Sequence, residues 1–230
     1  MGYVISNLST SEQDYIKAIY SLSAKREFSE YVNTNAIALE LQNKAASVTD
    51  MVKKLAEKGL LIYQAYNGVK LSDAGIIEAK MLIRKHRLWE YFLVEKLAFT
   101  WDEVHPIAEQ LEHIQSDELI DKLDVFLGQP RFDPHGDPIP DKSGQVPVQS
   151  QVSINQLKVG QQAIVVGVNL HTAEFLRFLN ELTIKLGTNI VVNQIYDFDE
   201  TVELLIDNVT TITLSSKVSK NIIVKNIDSN

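Results

Sequence analysis

Histidines and carboxylates recur at helical spacing between residues 81 and 115, which read MLIRKHRLWEYFLVEKLAFTWDEVHPIAEQLEHIQ. His86 and Glu90 are spaced i, i+4. Glu109, Glu112 and His113 are spaced i, i+3, i+4, and His105 lies one turn before Glu109. On an α-helix each set falls on one face. Two carboxylates and an imidazole on one face repel or lie idle unless a cation joins them. The pattern therefore predicts half of a coordination shell for a divalent metal. The other two of the five histidines have similar neighbours: His135 follows Asp133 in a proline-rich stretch, and His171 stands three residues before Glu174. Carboxylate oxygens and imidazoles suit Mn²⁺, Fe²⁺, Co²⁺ or Zn²⁺, and an oxygen-rich set leans towards Mn²⁺. Cd²⁺ belongs with Fe²⁺, Co²⁺ and Zn²⁺ among the ions expected to substitute for it.

Composition narrows the chemistry further. The 230 residues include no cysteine, which excludes disulfides, thiolate zinc sites, iron–sulfur clusters and cysteine nucleophiles. No HExxH or comparable catalytic motif occurs, so no enzyme is expected and no residue is assigned a catalytic role. No apolar run reaches the length of a membrane span, and MGYVISNLSTSEQDY lacks the basic region and apolar core of a signal peptide. A cytoplasmic protein with no membrane partner is expected. The net charge is −8, but it is unevenly spread. Residues 1–80 carry nine Lys/Arg and nine Asp/Glu, whereas residues 81–145 carry seven and thirteen. The acid excess surrounds the proposed shell and leaves a neutral N-terminal third, for which whole-chain charge gives DNA binding no support.

The elements that position these groups follow from periodicity. Ser9-Thr10-Ser11-Glu12 opens a first helix whose apolar positions are Tyr15, Ile16, Ile19, Tyr20 and Leu22. A short helix over 34–41, a turn at 42–45 and a third helix over 46–58 follow, the last closed by Gly59. Asn67-Gly68 between two β-rich runs signals a two-residue hairpin. This order is that of a winged helix-turn-helix, whose third helix enters the major groove. A helix over 73–97 would then span ~40 Å, too long for an eighty-residue domain to cover. Thr100 to Glu103 fits a capping box before a helix that Pro106 either begins or kinks. With a helix over 117–127, these elements make a dimerisation bundle. Five of the six prolines fall between Pro130 and Pro147, which marks a linker. From Ile154 onward five short strands and one helix, TAEFLRFLNELTI, suggest a small SH3-like barrel. The fold class is α+β: a winged helix-turn-helix over 1–72, a helical metal-binding and dimerisation domain over 73–129, a Pro-rich linker over 130–153 and an SH3-like β-barrel over 154–230.

That domain order resembles the DtxR/MntR family of metal-dependent transcriptional repressors, in its manganese-sensing branch with a C-terminal SH3-like (FeoA-like) domain. The resemblance is carried by DYIKAIYSL at 14–22, SVTDMVKKLAEKGLL at 47–61, RKHRLWE at 84–90, EVHPIAEQLEH at 103–113 and PHGDPIP at 134–140. It implies a primary metal site at Asp14, Glu109, Glu112 and His113. Acids at Asp14 and Glu109 match the manganese branch, where the iron branch has methionine and cysteine. A binuclear version of the site needs a glutamate where this chain has Lys17. The resemblance also implies a second site drawn from His86, Glu90, His105, Asp133, His135, His171 and Glu174, with His86 also within reach of the first. Lys44, Ala46, Ser47, Thr49, Asp50 and Lys53 are the positions expected near DNA. The function implied is Mn²⁺-activated repression of metal-uptake genes by a homodimer on a palindromic double-stranded operator. The alternatives are an iron-responsive regulator of the same family and a metal-binding interaction protein without DNA.

Overall fold

A computed structural model of the chain describes residues 8–24, 31–148 and 152–227. Its contacts divide the chain into two compact units. One comprises 1–86, 111–116 and 140–145, the other 87–110, 117–139 and 146–230.

The first unit holds helices α1 (Thr10–Ala24), α2 (Thr34–Glu40) and α3 (Ala45–Glu57), then strands β1 (Leu61–Gln64) and β2 (Gly68–Leu71), and the start of α4 (Asp73–Leu97). A reciprocal cap starts α1. The Glu12 carboxylate accepts from the Ser9 N–H at 2.8 Å, and the Ser9 hydroxyl accepts from the Glu12 N–H at 3.4 Å. Ile16 and Ile19 from α1, Ile37 from α2 and Val48, Val52 and Leu55 from α3 bury into one core with Val69 and Leu71. Gly59, at φ +75°, ends α3, and the Leu60 N–H reaches back to the Leu55 carbonyl at 3.0 Å.

The hairpin differs from the two-residue turn that Asn67-Gly68 suggests. Gln64 pairs with Gly68, so the connection is Ala65, Tyr66 and Asn67, and Tyr66 takes the left-handed conformation at φ +68°. Gly68 serves a different purpose. A Cβ there would lie 2.3 Å from the Val32 carbonyl oxygen, because Val32 pairs with Val69 alongside the hairpin.

The second unit contains the remainder of α4, α5 (His105–Leu111, its last residue belonging to the first unit) and α6 (Asp117–Phe126). Pro106 therefore begins a helix rather than kinking one. Glu103 reaches back to the Thr100 N–H at 3.1 Å as a capping box would, but residues 101–103 form turns, so the box closes a turn. Leu88 packs with Ile120, Leu123, Leu127 and Ile139. Much of the stretch expected as a linker is tightly folded: Phe132 bridges Pro138, and the Asp133 N–H donates to the Asp137 carbonyl at 2.9 Å. Residues 149–151 of that stretch lie outside the described residues.

The C-terminal part forms one antiparallel sheet. Its strands are β3 (Val152–Ser153), β4 (Gln162–Val168), β5 (Asn189–Tyr196), β6 (Thr201–Ile206), β7 (Thr210–Leu214) and β8 (Ile222–Asn226), in the order β3-β8-β4-β5-β6-β7. Helix α7 (Ala173–Glu181) follows β4, and α8 (Ser216–Ser219) precedes β8. Alternate residues Val202, Leu204 and Ile206 face the core, as the strand period requires. Phe175, Leu176 and Leu179 of α7 cover it, and Trp101 joins it. The layer is SH3-like, but β3 and β7 remain open edges among the described residues, where the sequence suggested a closed barrel. No described helix is long and apolar enough to cross a membrane.

Candidate metal centres

In the first unit Asp14, Glu112 and His113 each offer a donor atom within 4.8 Å of the others. Asp14 stands one turn into α1, while Glu112 and His113 follow the end of α5. His113 Nε2 lies 3.3 Å from an Asp14 oxygen. Its Nδ1 lies 2.6 Å from the Gln13 side-chain oxygen. An amide oxygen only accepts, so this contact puts the proton on Nδ1 and leaves the Nε2 lone pair facing the carboxylates. Glu112 is buried, yet its pKa is lowered. Burial pushes it up, and the His86 hydrogen bond and the Lys17 charge outweigh that. His86 Nδ1 is 2.5 Å from one Glu112 oxygen, and Lys17 Nζ is 2.6 and 2.9 Å from the two oxygens and 3.3 Å from His86 Nδ1. His86, which sequence spacing pairs with Glu90, also reaches Glu112.

In the second unit Glu90, Asp133 and His135 form another trio within the same 4.8 Å, and all three are buried. Glu90 is shared: one oxygen lies 3.2 Å from His105 Nδ1, the other 3.7 Å from His135 Nδ1. His135 Nε2 donates to the Trp101 carbonyl at 2.7 Å, which turns Nδ1 towards Glu90. Asp133 Oδ1 accepts from the His135 and Asp137 N–H groups at 2.8 and 2.9 Å, folding the loop around itself. Its pKa is pushed up, first by burial and then by Asp137 and Glu90. Burial acts to lower the pKa of His135, but Glu90 and Asp133 raise it above the ordinary histidine value. Arg87 balances part of the charge, 3.5 Å from Asp133 and 3.0 Å from Asp137. Buried like charges of this kind fit a divalent cation, and each trio combines two hard carboxylates with one borderline imidazole.

The remaining candidates are placed as follows. Glu109 is exposed and pairs with His105 at 3.4 Å. His171 donates from Nε2 to the Val168 carbonyl at 3.1 Å, and its ring sits 5.2 Å from that of His135. Glu174 is exposed at the start of α7. On α3 and its N-cap, Lys44, Ala46, Ser47, Asp50 and Lys53 are exposed, whereas Thr49 is half-buried with its hydroxyl donating to the Ala45 carbonyl at 3.0 Å. Gln13, Arg87 and Trp101 escape a reading based on spacing. Gln13 adjoins Asp14 in sequence, and Arg87 lies one turn before Glu90, which are the signals that point to the first two. The role of Trp101 depends on tertiary packing.

A winged helix-turn-helix that carries a carboxylate–histidine centre defines a metal-dependent DNA-binding regulator. Three family descriptions match in succession: iron dependent repressor, N-terminal DNA binding domain, over residues 7–69; iron dependent repressor, metal binding and dimerisation domain, over 72–141; and FeoA domain, over 152–226. An uncharacterized HTH-type transcriptional regulator of Methanocaldococcus jannaschii is 36% identical over 120 residues, which cover 52% of this chain and 94% of that protein. A manganese-dependent transcriptional repressor in complex with manganese superposes with a TM-score of 0.78 at 34% identity, covering 94% of this chain and all of that one. The iron-dependent repressor IdeR of Mycobacterium leprae is 30% identical over 136 residues, 59% of this chain and 58% of that protein. The chain belongs to the DtxR/MntR family of metal-dependent transcriptional repressors. Members of this family are not enzymes; they bind DNA operators and dimerise through the middle domain.

Proposed function

We propose that the chain is a Mn²⁺-activated repressor of metal-uptake genes, acting in the cytoplasm as a homodimer on a palindromic operator. The observation that carries this reading is the trio Asp14, Glu112 and His113, two hard carboxylates and one imidazole joining α1 of the DNA-reading fold to the segment after α5. A bound cation would supply the positive charge that lets Asp14 and Glu112 remain together. Asp14 then fixes α1, and α1 packs in one core with α3. Lys44, Ala46, Ser47, Thr49, Asp50 and Lys53 are the positions presented to DNA, and a twofold dimer sets two such helices ~34 Å apart or a multiple of that. The organisation proposed is 1–72 for DNA, 73–129 for metal and dimerisation, 130–153 as connection and 154–230 as the SH3-like domain. Glu109 remains a proposed metal ligand, which would give up its pairing with His105 on binding the cation.

The relation to IdeR supports a second reading, Fe²⁺ as the natural activator. Metal content and operator affinity of one purified sample, titrated anaerobically with Mn²⁺, Fe²⁺ and Zn²⁺, separate the two. Mn²⁺ is expected to raise operator affinity at the lowest metal concentration of the three. An operator affinity unchanged across all three titrations would overturn metal activation itself.

A further inference from the structure

The family resemblance implies that the C-terminal domain supplies ligands to the second centre through His171 and Glu174, yet the contacts between that domain and the loop carrying Asp133 and His135 include close backbone ones. The Val168 N–H of β4 donates to the His135 carbonyl at 2.9 Å. Gly136, at φ +87°, lies so near β4 that a Cβ would stand 2.0 Å from the Val166 carbonyl oxygen and 2.4 Å from Gly167 Cα. Gly167 reciprocates, since a Cβ there would fall 3.0 Å from the His135 carbonyl oxygen. The β4–β8 register shifts between Val165 and Gly167, at the point of contact. Two glycines therefore let two backbones touch where side chains would hold them apart.

We propose that β4 of the C-terminal domain acts as a backbone clamp on the loop of residues 133–137, assembling the second metal site without ligating it. The clamp sets His135 from one side by the Val168 hydrogen bond, while the Trp101 carbonyl fixes Nε2 of its ring. With the ring fixed, Nδ1 faces Glu90, and Asp133 is held by the same loop. Its own N–H and Oδ1 bond within residues 133–137, so the loop moves as one piece. His171 supports the ring of His135 by contact and lies 4.0 Å from Asp137. Gly136 and Gly167 are thus positioning residues, and the domain's contribution is steric. Such support around ligands governs affinity through orientation.

The inference rests on reading Glu90, Asp133 and His135 as a metal site, and the test separates the two. Mn²⁺ bound per full-length chain is measured by equilibrium dialysis for the wild type and four variants. Wild type is expected to bind one Mn²⁺ at each centre, and Glu90→Gln to lose one; if Glu90→Gln binds as much as wild type, the underlying reading fails. Gly136→Val is expected to lose the same single equivalent with Glu90 intact. His171→Phe, which keeps a ring without a donor, is expected to retain both. Should Glu90→Gln lose an equivalent while Gly136→Val keeps it, the clamp is overturned, as it is if His171→Phe loses one. If Gly136→Val does not fold, Gly167→Ala decides: about tenfold weaker binding at the second centre alone supports the clamp, and unchanged binding overturns it.

Discussion

Lys17 Nζ lies within 2.9 Å of both carboxylate oxygens of Glu112. The first centre therefore contains a permanent cation attached to one of its own ligands. Like-charge repulsion between Asp14 and Glu112 is partly relieved before any metal arrives. An ammonium at this place also repels a second divalent ion. Lys17→Glu should let the centre take up one additional Mn²⁺ per chain, counted by metal analysis after dialysis. Lys17→Met should leave the count unchanged and tighten the first ion by about tenfold, ~1.4 kcal/mol, because a competitor for Glu112 is removed. A Lys17→Glu protein with the wild-type count would show that the ammonium does not limit occupancy.

How much of this was legible beforehand depends on whether the information is local. The bounds of α4 and the stop at Gly59 follow from amphipathic spacing and a left-handed terminal residue, and both are where the sequence puts them. The sequence misplaces the hairpin turn because Gly68, besides its φ of +114°, answers to Val32, thirty-six residues away. Spacing brought Glu112 and His113 together, but Asp14 was joined to them only by family resemblance. The link between His86 and Glu112, the reach of Lys17 and the pairing of Glu109 with His105 depend on how helices pack. No periodicity encodes them. The prolines of 130–147 correctly announced a break in regular structure, but hid a loop closed on Asp133.

Glu12 connects α1 to the helix expected to read DNA. It is buried, 3.2 Å from Lys54 and 2.6 Å from Lys58, both on or just after α3. Burial pushes its pKa up, but Lys58, the Ser9 N–H and Lys54 hold it at about 2, against 4.5 without the fold. The unfolded chain therefore takes up the proton first as pH falls. The stabilisation is complete above ~pH 5 and is lost as pH drops towards 2. Urea midpoints of wild type and Glu12→Gln should differ at pH 7, wild type being more stable, and converge as pH falls towards 2. A gap independent of pH would mean that the carboxylate's charge contributes nothing.

Val125 and Phe126 at the end of α6 are 68% and 66% exposed, and Leu119 on the same helix is 40% exposed. Apolar side chains clustered in this way mark an interaction face, and they lie in the region matching the metal binding and dimerisation domain. Phe126→Glu should shift the sedimentation profile from dimer towards monomer, weakening association by about a hundredfold, the scale of a lost aromatic anchor. Metal binding at the first centre should persist. An unchanged dimer would move the interface elsewhere on the chain.

Gln13 touches His113 Nδ1, and that contact sets which nitrogen of the imidazole faces Asp14. Partners of this kind typically govern affinity by about ten- to a hundredfold. Gln13→Leu should therefore weaken Mn²⁺ at the first centre by that factor and leave the second unaffected. Because metal and operator binding are linked, the Mn²⁺ concentration giving half-maximal operator binding should rise by a similar factor. Operator affinity at saturating Mn²⁺ should stay at the wild-type plateau, since Gln13→Leu leaves every DNA-facing side chain in place. A fall in that plateau would place Gln13 in the packing of α1 itself. An unshifted midpoint would mean that His113 keeps its tautomer without the amide.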